Sequence, residues 1–141
     1  IKGSFIDTGS PHVVIFTDDI PFLKSSIEEL DVVELGREIR YSSQFSPAGT
    51  NVNFIEQKGD ELFIRTYERG VEDETLACGT GSTAAGIISF LLKGTPTPVK
   101  LRTHGGDLLI IDFGYYDNEI QNLSLTGPVS VNFRGIIEIN D

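Results

Sequence analysis

The stretch STAAGIISFLL, within residues 81–92, carries no charged residue and no polar face. A helix that is apolar all round has to be buried. Its small residues Ala84, Ala85 and Gly86 let neighbouring strands approach closely. The fold is therefore expected to be built around this segment. At 141 residues the chain can bury a real core without staples, and no repeat, low-complexity segment or linker divides it, so 1–141 reads as a single domain.

Around the apolar helix, β-branched and apolar runs alternate with Gly, Pro, Asn and Asp, which predicts short strands joined by tight turns. The expected strands cover 12–16, 52–56, 61–67, 99–103, 108–112, 123–125 and 130–138, with Lys58-Gly59-Asp60 closing a hairpin between the second and third. Val99, Leu101 and Thr103 alternate with Lys100 and Arg102, the mark of a strand with one wet face. Residues 108–111 are continuously apolar and are expected to be covered on both sides. A second helix over 31–40 places Val32, Leu35 and Ile39 on one stripe and reads as an ordinary surface helix. An α+β domain, with a curved, mixed and largely antiparallel sheet wrapped around one central buried helix, satisfies this pattern.

Composition excludes several classes of function. The 21 acidic residues outnumber the 11 basic ones, and a net charge of −10 repels phosphate backbones, so no nucleic-acid partner is expected. A single cysteine permits no internal disulfide, and with two scattered histidines it offers no zinc-ligand spacing, so no metal is expected. No apolar run approaches the roughly 20 residues needed to span a bilayer, and no basic segment leads into an apolar one as in a signal peptide. The first residue is Ile1 rather than Met, which reads as a fragment boundary.

The run ETLACGTGSTAAG places Cys78 at the entrance of the buried helix. A helix N-terminus offers unpaired N–H groups and partial positive charge, so it stabilises a thiolate and can also receive a carboxylate. Glycines at 79 and 81 cost helix propensity, and they suit a backbone that a ligand must approach. A buried, inert cysteine is the common alternative, but the Gly-Thr-Gly loop beside this one favours chemistry.

The segment TYERGVEDETLACGTGSTAAG resembles the second cysteine motif of diaminopimelate epimerases, and DTGSPHVVIF, FSPAGTNVNFIE and LTGPVSVNFRGIIEI agree in the family's order over nearly the whole chain. The resemblance implies the C-terminal domain of a two-domain epimerase whose N-terminal domain, bearing the other cysteine, is absent from the chain. It also implies a cytoplasmic enzyme that uses no pyridoxal phosphate, metal or nucleotide, acts on a small amino-acid substrate and belongs to a family whose members can form homodimers. Converting L,L-diaminopimelate to the meso form serves lysine and peptidoglycan precursor synthesis.

Carried over residue by residue, the resemblance makes Cys78 one of the two acid/base thiols. His12 is a histidine near it that can share its proton. Glu68 is placed near the other cysteine, and Arg69 binds the distal carboxylate, for which a planar guanidinium is suited. Asn51 holds the distal end, and Gly79 and Thr80 offer backbone N–H groups to the α-carboxylate. Ser10 departs from the family's asparagine and weakens the distal contact or routes it through water.

Two alternatives remain open. A proline or hydroxyproline racemase also uses paired cysteines, but the ERG and TNVNF segments suit a substrate with a second charged end. A non-catalytic binding domain would leave Cys78 inert. With one sulfur, the isolated chain is expected to be inactive.

Overall fold

The computed structural model describes residues 1–24 and 26–139. Its strands are β1 (Ser4–Asp7), β2 (Pro11–Phe16), β3 (Asn51–Lys58), β4 (Glu61–Glu68), β5 (Asp73–Thr75), β6 (Val99–Thr103), β7 (Leu108–Tyr116) and β8 (Glu119–Thr126). They form one sheet in the order β1-β2-β3-β4-β6-β7-β8, and β5 pairs with the last residues of β4, beyond the reach of β6. The β2–β3 and β4–β6 pairs are parallel and the others antiparallel. Parallel neighbours need a long crossover. Helix α1 (Val32–Arg40) lies in the first crossover and α2 (Gly79–Lys93) in the second.

Strand alternation divides the apolar side chains between the two faces. Val14, Phe16, Ile55, Leu62, Ile64, Leu101 and Ile111 pack with Ala84, Ala85, Ile87 and Ile88 of α2, about which the sheet curls. Val13, Ile15, Val52, Phe54 and Tyr67 pack with Val32 and Leu35 of α1. The expected α+β fold around a central helix is present, with Gly81 to Ser89 buried throughout. The expected surface helix has a larger part than its amphipathic stripe suggested, because it closes a second core on the opposite face. Asp31 caps it by accepting the Glu34 N–H at 2.9 Å.

Two expectations are corrected. Residues 108–111 are not covered on both sides: Leu109 and Ile111 are buried while Leu108 and Ile110 are only half-buried, since α1 packs on β3, β4 and β5 and leaves the outer face of β7 without a helix. No strand forms over 130–138, where Val131 and Phe133 are 74% and 87% exposed. Alternating apolar residues make a strand only beside a partner edge, and this segment has none within the described residues. Strands β1 and β5 were not anticipated. Nor was the extent of the β7–β8 hairpin, whose Asp117-Asn118 turn has φ of 52° and 63°, the left-handed pair of a type I′ turn.

Gly36 of α1 lies directly on Tyr67, so that an added Cβ would overlap the tyrosine Cβ. Tyr67 is fully buried in an interior strand and has nowhere to move. Gly36→Ala is expected to destabilise the protein by about 1–3 kcal/mol, instead of the roughly 1 kcal/mol gain of that change in an exposed helix. Urea denaturation measures the difference.

Candidate active site

The alternation that buries Val14, Phe16, Ile55 and Ile64 against α2 continues with polar residues at the helix's first turn. His12 of β2, Asn51 and Asn53 of β3 and Thr66 of β4 all lie on the α2 face, at alternate positions, and are 0–5% exposed. The sheet is thus apolar under the body of α2 and polar under its start.

Cys78 is the N-cap of α2, with φ −137° and ψ 111°, and its carbonyl accepts the Ser82 N–H at 2.8 Å. No side chain caps this end. The N–H groups of Gly79, Thr80 and Gly81 therefore lack intrahelical partners. Gly79 and Thr80 are exposed and Cys78 is partly exposed, so the sulfur stands at the rim of the apolar core beside the solvent-accessible first residues of the helix. A carboxylate can dock there.

Gly81 differs from its sequence reading. It is buried, and a Cβ on it would overlap Asn53 Oδ1, so this glycine serves close packing of α2 on β3 instead of ligand access. A Cβ at Gly79 would meet only Leu125, at 3.6 Å.

The Thr80 hydroxyl is the hub of the cluster. It lies 3.0 Å from His12 Nε2, 3.3 Å from Ser10 Oγ and 3.6 Å from Cys78 Sγ. Ser10 Oγ is also 3.0 Å from His12 Nε2. Within the described residues His12 thus reaches Cys78 through Thr80, not by direct contact. On the other side of the ring, Asn53 Nδ2 is 3.1 Å from His12 Nδ1 and donates to Val13 O at 3.0 Å, while Asn53 Oδ1 accepts from Thr66 Oγ1 at 3.0 Å. Burial pushes the His12 pKa from 6.5 down to about 4, with Asp7 opposing and Arg69 assisting. His12 is neutral at pH 7.

Asn51 bridges two backbone segments. Its Nδ2 donates to Pro11 O at 3.0 Å and its Oδ1 accepts the Arg69 N–H at 2.8 Å. Arg69 is partly buried, and its Nη1 donates to Ala48 O at 3.3 Å. The turn that follows is held by Glu72, whose backbone has φ 60°. Its carboxylate accepts from Gly70 N at 2.9 Å, Tyr67 OH at 3.2 Å and Arg40 Nη2 at 3.1 Å. The Gly70 N–H is the main reason its carboxyl titrates below the ordinary value. Glu68 ends β4 beside Arg69, half-buried, and its carboxylate has no hydrogen-bond partner among the described residues.

Cys78, Thr80, His12 and Ser10 are therefore joined in one network, and Asn51 links the Ser10 segment to the Glu68–Arg69 turn. Asn53 could be given no role from sequence, and Thr66, the Thr80 hydroxyl and Glu72 were missed. The available signal was the run of polar residues at alternate positions on a strand face that is otherwise apolar. Among the described residues no group of three or more His, Cys, Asp or Glu could hold a metal ion, and no helix is long and apolar enough to cross a membrane.

The family model described as diaminopimelate epimerase matches residues 4–131. The diaminopimelate epimerase of Aquifex aeolicus is 46% identical over 138 residues, covering 96% of this chain and 46% of that protein. Those of Chlorobaculum tepidum and Archaeoglobus fulgidus are 43% and 44% identical, each match covering 96% of this chain and 49% and 43% of the relative. The chain thus spans about half the length of the curated relatives it matches. Among solved structures, a phenazine biosynthesis protein PhzF family member from Enterococcus faecalis superposes with a TM-score of 0.52 at 15% identity, over 73% of this chain and 34% of that one, a likeness of fold alone.

A histidine held neutral by burial leaves a signature in stability. Between pH 6.5 and about 4 the unfolded chain binds a proton at residue 12 that the folded chain refuses, so stability is complete above pH 6.5 and falls as the pH drops toward 4. The slope approaches about 1.4 kcal/mol per pH unit within that window. Comparison of denaturation curves for the wild type and His12→Gln should show this pH dependence reduced in the variant.

Proposed function

The chain belongs to the diaminopimelate epimerase family, and from that premise we propose that it supplies one of two thiols that convert L,L-diaminopimelate to the meso form without a cofactor. Cys78 is the thiol of this half. One sulfur, as thiolate, takes the α-proton, the C–H electron pair stays on carbon, and the thiol on the opposite face gives that carbon a new proton. Either sulfur serves as base, according to the enantiomer bound.

The observation that carries this reading is the placement of a partly exposed sulfur beside uncapped helix amides and a hydroxyl–imidazole pair, Thr80 and His12. The Gly79 and Thr80 amides bind the α-carboxylate and offset the charge that grows on it as the proton leaves. Arg69 binds the distal carboxylate. Asn51, Ser10 and Glu68 complete the substrate side, with Glu68 beside the second cysteine. His12 is neutral, and it acts on Cys78 as a hydrogen-bonding group reached through Thr80.

The second thiol belongs to a further half, which is this chain's partner in the reaction. Support for such a covering body comes from Val129, Val131 and Phe133, apolar and alternating, followed by Ile136, Ile137 and Ile139, all 74–100% exposed. Apolar surface of this extent marks an interaction site.

Incubation of the intact protein with L,L-diaminopimelate in D2O should yield the meso form with deuterium at the inverted carbon. Cys78→Ser should lower that rate by at least about 10²-fold. Absence of turnover in the intact wild type refutes the function. The chain of residues 1–141 alone is expected to give no conversion, and measurable product from it would refute the requirement for a second half.

A further inference from the structure

The side chain of Asn53 is fully buried behind His12. Its orientation follows from its surroundings. Val13 O can only accept, so the amide nitrogen must face it, and the oxygen is then correctly placed to accept from Thr66 Oγ1. A flipped amide would set two carbonyl oxygens against each other. One N–H of Nδ2 goes to Val13 O, and the other is directed at His12 Nδ1, 3.1 Å away. That ring nitrogen must accept, so a neutral His12 carries its proton on Nε2. From Nε2 the N–H faces Ser10 Oγ and Thr80 Oγ1, both at 3.0 Å. A hydroxyl that accepts from the ring keeps its own hydrogen to donate. Ser10 Oγ, 3.3 Å away, also donates to the Thr80 hydroxyl, which leaves Cys78 Sγ, at 3.6 Å, to receive the threonine's own hydrogen.

We infer that Asn53 is a positioning residue for the reaction: by fixing the His12 tautomer it sets the polarity of the His12–Thr80–Cys78 chain, so that a hydroxyl donor is presented to the sulfur whenever it is a thiolate. This rests on Cys78 being a proton-transferring thiol. Because a Cβ at Gly81 would overlap Asn53 Oδ1, the same amide also sets the height of the first turn of α2 above the sheet.

The test combines imidazole ¹⁵N–¹H correlation spectra with kinetics on the intact protein. In the wild type at pH 7 the His12 proton is expected on Nε2. Asn53→Asp turns the donor into an acceptor and should move the proton to Nδ1, while kcat falls about 10- to 100-fold and KM stays within about twofold. Thr66→Val removes a different bond of the same amide, and should keep both the tautomer and kcat even if it lowers stability. A wild-type proton on Nδ1 overturns the inference, a measurement that requires no variant to fold. So does a switched tautomer with unchanged kcat, or a loss of kcat in Thr66→Val equal to that in Asn53→Asp. Failure of the wild type to turn over diaminopimelate counts against the epimerase reading instead, and the tautomer result stands apart from it.

Discussion

Where α2 begins is decided by a contact between a glycine and an amide. Gly81 has no side chain, and Asn53 Oδ1 occupies the space a Cβ would need, so the helix settles onto β3 at a distance that a larger residue at 81 would not allow. Cys78 caps that first turn and Thr80 lies within it. The height of the turn therefore controls whether the threonine hydroxyl reaches both the ring below and the sulfur beside it. A displacement of an ångström would break the 3.0 Å and 3.6 Å contacts and with them any path between His12 and Cys78.

The interface between α2 and the sheet has two regimes. Under the body of the helix it is apolar and close-packed, with Ala84 and Ala85 against Val14, Ile55, Leu101 and Ile111. Under the start it holds His12, Asn53 and Thr66, buried polar groups that would each cost about 1–3 kcal/mol if left unpaired. They satisfy one another and the Val13 carbonyl. Because burial keeps the imidazole neutral, the site is supplied with oriented hydrogen-bond donors and not with a buried positive charge. The apolar part holds the helix in place, and the polar part determines what its first turn can do.

Much of this was readable from local pattern. The uncharged 81–92 stretch announced a buried helix, the alternation in 99–103 a strand with one wet face, and the Gly-Thr-Gly loop an unusual helix entrance for Cys78. The strand expected over 130–138 is absent: its apolar alternation is real, but among the described residues the segment pairs with no strand, and without a partner the pattern alone makes none. Asn53 could be given no role from sequence because an asparagine in a strand looks the same whether it faces solvent or the underside of a helix. Glu72 was equally silent, since its role depends on Arg40 and Tyr67, which reach it from α1 and β4.

Periodicity, residue size and residue chemistry are properties of neighbours in the chain, and they suffice to establish the central helix and most of the strands, and to single out Cys78 with its candidate companions. The wiring between those companions belongs to the folded state. That His12 reaches Cys78 through Thr80, that Asn53 holds the ring from behind, and that Gly81 makes room for an amide all join residues of different strands and a helix, with separations along the chain of up to 68 residues. Such contacts depend on sheet register and on the depth at which α2 packs, and both are set only when the whole core closes.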